Sequence, residues 1–474
     1  MKKRLLSIVC ALFLCFSVFL AGCKDKGLRD NPPTGATVIS NGGMSVIKGD
    51  YLYFVNGYED KVLTKDDNKM GKITKGAIYR TKLDDHDISK DKDGFLNNAD
   101  LVVSKIVGFA NGGFEIIDDY IFYATPYMKL ASNGSLQTGR IEIHRIDIDG
   151  TDDEVIYVTE NAETDLDWTM RKVGDKICLL IHDGTKIVSV NANNGDVIGS
   201  VDGVTSYSFL HESVYQHDAQ RTKYNETHVY YTRAITEDDN VINYKGNALC
   251  SFDIASGEIR TLELSRTNTY VIKHVTNDTL YYTYTNVGLT TACLYKRVVN
   301  NAWTNSTEQQ LTYRAFTNYY FADYGNDLII ATTDSHTFRL EGGLETEPVQ
   351  ILGAARTLIG LYGDYGYYAN ENNLIRFNIW TGELQDAYDG SVSLLTNDSF
   401  LDFDNRRIFL FSQYTAENGD LNYYLNYFAE GFEEKEDFKQ RFVGVFDEDD
   451  VPAKPEQPEP EYEGDEVEYV PHID

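Results

Sequence analysis

The best-spaced set of possible ligands in the chain is Ser89-Lys90-Asp91-Lys92-Asp93-Gly94-Phe95-Leu96-Asn97-Asn98-Ala99-Asp100. A calcium loop of the EF type places oxygen ligands at its positions 1, 3, 5 and 12, a glycine at 6 and an aliphatic residue at 8, because a hard cation needs many oxygens around a sharp turn. Asp91, Asp93, Gly94, Leu96 and Asp100 fall on that pattern, while Ser89 replaces the usual first aspartate and Asp100 the usual final glutamate. Two readings stand: a structural calcium held by Asp91, Asp93 and Asp100, which would brace a loop rather than do chemistry, and an Asx-rich surface loop. Asp147-Ile148-Asp149-Gly150 is shorter and reads as a hairpin turn. The nine histidines show none of the paired spacings that hold zinc, and His211, His217 and Asp218 form the only loose grouping. No serine elbow or phosphate-cradling glycine loop is present. With 74 acidic residues, two carboxylates close in sequence say nothing about glycoside chemistry. No catalytic residue and no cofactor beyond that calcium is expected.

The elements that would carry these residues are strands. Hydrophobic content of 42% and 34 tyrosines suit a folded, strand-rich chain, and mean hydropathy of −0.38 is too polar for a polytopic membrane protein. The formal charge of −31 repels phosphate backbones and argues against nucleic acid. A theme recurs eight times, at 49–54, 118–123, 174–179, 226–231, 277–282, 326–330, 363–368 and 404–409. It is a Gly/Asn-Asp turn followed by a strand dense in tyrosine and aliphatic residues, as in Gly49-Asp50-Tyr51-Leu52-Tyr53-Phe54; the copy at 226–231 lacks the turn dipeptide. Each is followed by a partner such as Ala77-Ile78-Tyr79-Arg80, and several partners end in glycine turns such as Ser256-Gly257-Glu258 and Thr381-Gly382-Glu383. With a strand before and after each pair, four strands make a unit of about 50 residues. The pattern predicts an all-β chain, a β-propeller of four-stranded antiparallel blades over residues 36–446. Eight blades fit, with seven as the alternative if 205–260 holds something else, and residues 36–40 are placed to close the ring.

Cys178, Cys250 and Cys293 sit in separate strand-like runs and read as buried thiols rather than a disulfide framework. Tyr319-Tyr320, Tyr362, Tyr365, Tyr367-Tyr368 and Tyr423-Tyr424 either pack between blades or offer stiff, polar-tipped surfaces to a sugar or a protein. Residues 447–474 hold five of the nine prolines and an acidic run, and are expected to be disordered, as a spacer or as a docking segment for a basic partner.

Residues 1–22 have the basic start (Lys2, Lys3, Arg4), apolar stretch and small residues of an export signal. Leu20-Ala21-Gly22-Cys23 resembles the lipobox of bacterial lipoproteins. That resemblance implies that Cys23 is diacylated and that the chain sits on the extracytoplasmic face of a membrane; an exported chain of this size without a disulfide framework is easiest to place in a Gram-positive type of cell. Loss of three cations with the signal moves the charge to −34, so the body is repelled by anionic lipid and two acyl chains would have to hold it. Residues 23–35 read as a tether.

Ser40-Asn41-Gly42-Gly43-Met44 before the first theme, and Asn111-Gly112-Gly113-Phe114 before the second, resemble the repeats of bacterial lipoproteins that bear a low-density-lipoprotein-receptor-like β-propeller, a family of unknown function. The resemblance implies a fold and no catalytic residues. The Gly-Glu turns are also similar to those of quinoprotein propellers, but Trp168, Trp303 and Trp380 do not recur at blade spacing and give no support for a quinone. The expected function is a non-catalytic binding module for a protein, peptide or glycan. The alternatives are an extracytoplasmic hydrolase or lyase with its site at the channel mouth, and a structural or sensory part of a membrane complex.

Overall fold

A computed structural model of the chain describes residues 28, 30–32, 45–56, 69–70, 73–74, 76–82, 98–107, 114–127, 140–160, 167–209, 227–276, 279–299, 307–321, 328–341, 344, 347–362, 364–370, 373–389, 393–402, 407–415, 421–429 and 439–442. Four-stranded antiparallel sheets follow one another along it, at 45–103, 114–158, 167–201, 204–264, 269–310, 318–352, 358–389 and 393–442, here called sheets one to eight. In each the strands pair in chain order, so every sheet is a meander of hairpins. The described residues of the stretch 205–260 join this pattern, with a 3-10 turn at Glu237–Asp239. A small hairpin, Lys69–Met70 with Ile73–Thr74, decorates sheet one. The result is a propeller-like, all-β fold with repeated blades.

Side-chain alternation explains why the sheets stack. Successive residues of a strand point to opposite faces. In the second strand of sheet three, Lys176–Asp183, the side chains of Ile177, Leu179 and Ile181 enter a core shared with sheet two, whereas Cys178 and Leu180 enter one shared with sheet four. The same division continues through sheet seven, so each sheet buries both faces only between neighbours. Cys178, Cys250 and Cys293 are free and buried in these interfaces, and burial pushes the Cys178 thiol up to about 11.

A second device clasps the outer ends. In sheet four the turn between strands three and four is drawn tight by Asp253, whose Oδ1 accepts the backbone N–H groups of Ala255 (3.1 Å) and Ser256 (2.7 Å). Asn378 does the same for Trp380 and Thr381 in sheet seven. The turn glycines Gly257 and Gly382 both have φ +75° and lie directly over the preceding sheet's fourth strand: a Cβ would fall 2.7 Å from the Ile198 carbonyl oxygen and 2.2 Å from that of Ile351. Donors from the preceding sheet grip the turn carbonyls. Ser189 Oγ donates to Ile254 (2.8 Å), and Arg339 Nη1 to Ile379 (2.7 Å) and Trp380 (3.0 Å). Arg145 Nη1 reaches Ala192 and Asn193 in the same way. The third-strand arginines Arg145 and Arg339 are thus blade-to-blade fasteners.

Leu28 and Asp30, in the stretch read as a tether, lie on sheet one. Leu28 packs against its core, and Asp30 accepts from Tyr51 (3.0 Å) and Lys82 (2.8 Å) while Arg80 donates to its carbonyl.

Candidate functional site

The first strands of the sheets approach one another, at sheets one and two, two and three, four and five, and seven and eight. Side chains tie them together. Glu115 Oε2 accepts the Met170 N–H (2.8 Å), Ser206 Oγ accepts the Ile272 N–H (3.2 Å), and Asn247 holds the N–H and carbonyl of Tyr270 (2.8 and 2.9 Å). Lys48 donates to the Asp118 carbonyl and pairs with Asp119 (3.3 Å), while Lys172 pairs with Asp118 (2.6 Å), which links sheets one, two and three.

Between the first strands of sheets five (Thr269–Thr276) and six (Asn318–Phe321) a cavity of about 200 Å³ opens, lined by Lys273, Thr317, Asn318, Tyr319 and Tyr320. Its walls are rigid for definable reasons. Ser206 and Asn247 fix the backbone just before Lys273, and His274 just after it stacks on Phe321 across the gap, with ring centres 4.3 Å apart and planes 10° from parallel. Lys273 makes no ion pair among the described residues, and burial alone holds its ammonium below the ordinary lysine value. Burial pushes the Tyr319 hydroxyl up to about 12, so it stays a neutral phenol. Thr317 Oγ1 donates to Asp334 (2.9 Å). Asn318 Nδ2 donates to Thr332 (3.4 Å), so the charged group that the lining offers an anion is Lys273.

Burial lowers His274 from 6.5 to about 3. The unfolded imidazole therefore takes up a proton near pH 6.5 that the folded ring refuses until about pH 3, so acid favours unfolding across that window. The expected result is a loss of up to about 1.4 kcal/mol per pH unit below 6.5. H274F, which keeps the stack, should remove that component from a stability–pH profile measured by urea denaturation.

A cluster of titratable groups in sheet two is the feature that sequence spacing did not reveal. His144 Nδ1 lies 2.9 Å from Asp153 Oδ1 and Nε2 lies 3.2 Å from Glu142 Oε2; Tyr123 donates to Asp153 (2.8 Å) and Lys105 pairs with it (2.7 Å). The imidazole stacks on Tyr123 and its side chain is 2% exposed. Both ring nitrogens are occupied and the two carboxylates lie at opposite ends of the ring, so they cannot converge on one ion. Among the described residues no group of three or more His, Cys, Asp or Glu side chains is placed to hold a metal. This cluster is a clamp between strands.

Of the residues singled out in the sequence, Asp91, Asp93, Cys23, His211, His217 and Asp218 lie outside the described residues, as do 36–40 and 443–474. Asp100 lies in the fourth strand of sheet one, opposite Arg80, whose guanidinium is 3.5 Å from its carboxylate. Tyr319 and Tyr320 reach the cavity, but Tyr319 packs into the sheet five–six core and Tyr320 against the sheet six–seven core. Tyr367 and Tyr368 are buried. Among the described residues no helix is long and apolar enough to cross a membrane.

No family model matches the chain, and no curated protein does. Among solved structures it is similar to a prolyl endopeptidase at 13% identity, covering 65% of this chain and 45% of that one, with a TM-score of 0.40. It also matches apo AztD from Citrobacter koseri (10% identity, 78% and 92% covered, TM-score 0.39) and Porphyromonas gingivalis dipeptidyl peptidase 4 (10%, 86% and 60%, 0.45). The chain thus spans less than half the length of the endopeptidase that it matches.

Proposed function

We propose that the chain is a membrane-anchored extracytoplasmic lipoprotein whose eight blades close into a propeller that binds a protein, peptide or glycan without catalysis of its own. The observation that carries the binding role is the cavity between sheets five and six, lined by Lys273, which makes no ion pair among the described residues, and by Thr317, Asn318, Tyr319 and Tyr320. Ring closure is supported by sheet one. Leu52 and Phe54 occupy the positions that in sheet three (Ile177, Leu179) face the preceding sheet, and they are 1% and 0% exposed. Something covers that face, and sheet eight is the blade available to do it.

The lipobox-like tetrapeptide supports anchoring through Cys23, as the resemblance to propeller-bearing lipoproteins implies. Four residues lie between Cys23 and Leu28, which packs on sheet one, so the five-step span from the anchor would reach at most about 18 Å before the body begins. Sheet one would then lie next to the bilayer. C23S should move the chain from the detergent phase to the aqueous phase in a cloud-point partition; retention in detergent would defeat the anchor.

Binding is tested by cross-linking the full chain in its native membrane and identifying what it captures, alongside an array of cell-wall and host glycans, with and without calcium. Specific, saturable capture supports the module. Silence in both together with turnover of a peptide or glycan would replace it with an enzyme.

A further inference from the structure

We infer that the cavity between sheets five and six takes a peptide carboxylate on the Lys273 ammonium, with the peptide backbone laid along the free edge of the first strand of sheet six, Asn318–Phe321. This rests on the binding-module reading and names the ligand chemistry at that site.

The charge argument comes first. In a chain with 43 basic and 74 acidic residues, Lys48, Lys82, Lys105, Lys172 and Lys186 each have a carboxylate at 2.6 to 3.3 Å, while Lys176 donates to the Ala255 carbonyl. Among the described residues Lys273 has none, although it lines the cavity, where it stays exposed. Asp334, the acid nearest in the bonding pattern, spends one carboxylate oxygen on Thr317. An ammonium without a partner among the described residues gains from an anion that arrives with the ligand. The chain's strong negative charge opposes a polyanion at every charge within the screening length of about 8–10 Å, and penalises a single terminal carboxylate least.

The backbone edge decides between peptide and sugar. The first strand of sheet six pairs only with the second, Ile329–Thr332, leaving its other edge toward the gap. The equivalent edges of sheets three and five are capped by Glu115 and Ser206, which accept the Met170 and Ile272 N–H groups. Among the described residues no side chain of sheet five caps the edge of sheet six in that way. Alternate N–H and C=O groups on such an edge match an extended peptide. The tyrosines do not form a sugar platform, because Tyr319 and Tyr320 are packed into the two flanking cores. A volume of about 200 Å³ is also below the 300–1,000 Å³ of a drug-sized site, and fits one terminal residue.

The test uses the full chain with its lysines reductively methylated with carbon-13, the Lys273 signal being assigned by its loss in K273R. It is titrated with acetyl-trialanine, with the same peptide as its C-terminal amide, and with methyl glucuronoside. The free-carboxylate peptide should shift the Lys273 signal saturably, and the amide should bind about tenfold more weakly or worse. By calorimetry on unmodified protein, K273M should lose about tenfold in affinity for the free acid and K273R should recover most of it. Equal binding of acid and amide, indifference to K273M, preference for the glucuronoside, or no shift at millimolar peptide would each overturn the inference. If K273M nevertheless captures the same membrane partner as the wild type, the inference fails while the binding-module reading stands.

Discussion

D153A should lower the opening free energy of the sheet two amides by about 3 kcal/mol, read by hydrogen exchange, while sheets five and six stay unchanged. Asp153 accepts from Tyr123 and pairs with His144 and Lys105, so its removal takes a partner from three polar groups at once. Its side chain is 26% exposed, which places the loss at the lower end of what breaking a buried pair costs. Burial alone would raise its carboxyl, but the hydrogen bonds from His144, Lys105 and Tyr123 outweigh burial and hold it well below the usual range. A carboxyl depressed in the fold stabilises above its unfolded value near 3.8, and that stabilisation is lost as the pH falls through the depressed value. The difference between wild type and D153A should therefore be full at neutral pH and shrink in strong acid. A uniform loss across all sheets, or a difference that grows in acid, would show that the cluster does not clamp sheet two. Locality is expected because each blade touches only its neighbours.

How far the sequence discloses this molecule depends on the distance over which each feature is assembled. The turn and strand of the theme are local, so Gly49, Asp118 and Gly174, which take positive φ of 58°, 52° and 61°, mark hairpins that the residue types already signal. Alternation in Lys176–Asp183 likewise announces a strand buried on both faces. The copy at 226–231 lacks its turn dipeptide and still builds a strand, His228–Ala234, because Val229, Tyr230 and Tyr231 keep the two-sided pattern. The His144 clamp is illegible because Lys105, Tyr123, Glu142 and Asp153 come from a connector, two strands and a turn, and no short spacing relates them. Lys273 is equally silent, since its meaning lies in the absence of a partner and in a wall supplied by residues 317–320. Tyr319 and Tyr320 were visible as a pair, but only packing shows that their rings are spent between blades. The residue types of the Gly-Glu turns signal tight hairpins, and the close approach of the neighbouring blade that requires glycine there is a property of the assembled stack.

That last distinction yields a comparison among glycines with the same backbone conformation. Gly174 (φ +61°) has nothing within 4 Å of where a Cβ would sit, so G174A should cost only the left-handed penalty of about 1–2 kcal/mol. Gly257 and Gly382 carry that penalty and a collision as well, because the new Cβ would meet the Ile198 or Ile351 carbonyl oxygen at 2.7 or 2.2 Å. Backbone of the preceding blade cannot swing aside as a flexible side chain can. The turn must lift, which stretches the Ser189 bond to Ile254 in one case and the Arg339 bonds to Ile379 and Trp380 in the other. Adding a strained contact and weakened hydrogen bonds raises the expected cost of G257A or G382A to about 3–4 kcal/mol. Thermal unfolding and hydrogen exchange of the three variants check this directly. In G257A the exposure should appear at the sheet three–four interface, and in G382A at six–seven, whereas G174A should leave every interface protected. Equal costs for the three would mean that these glycines serve their own hairpins alone, and that the blades are held by their apolar faces without the clasp.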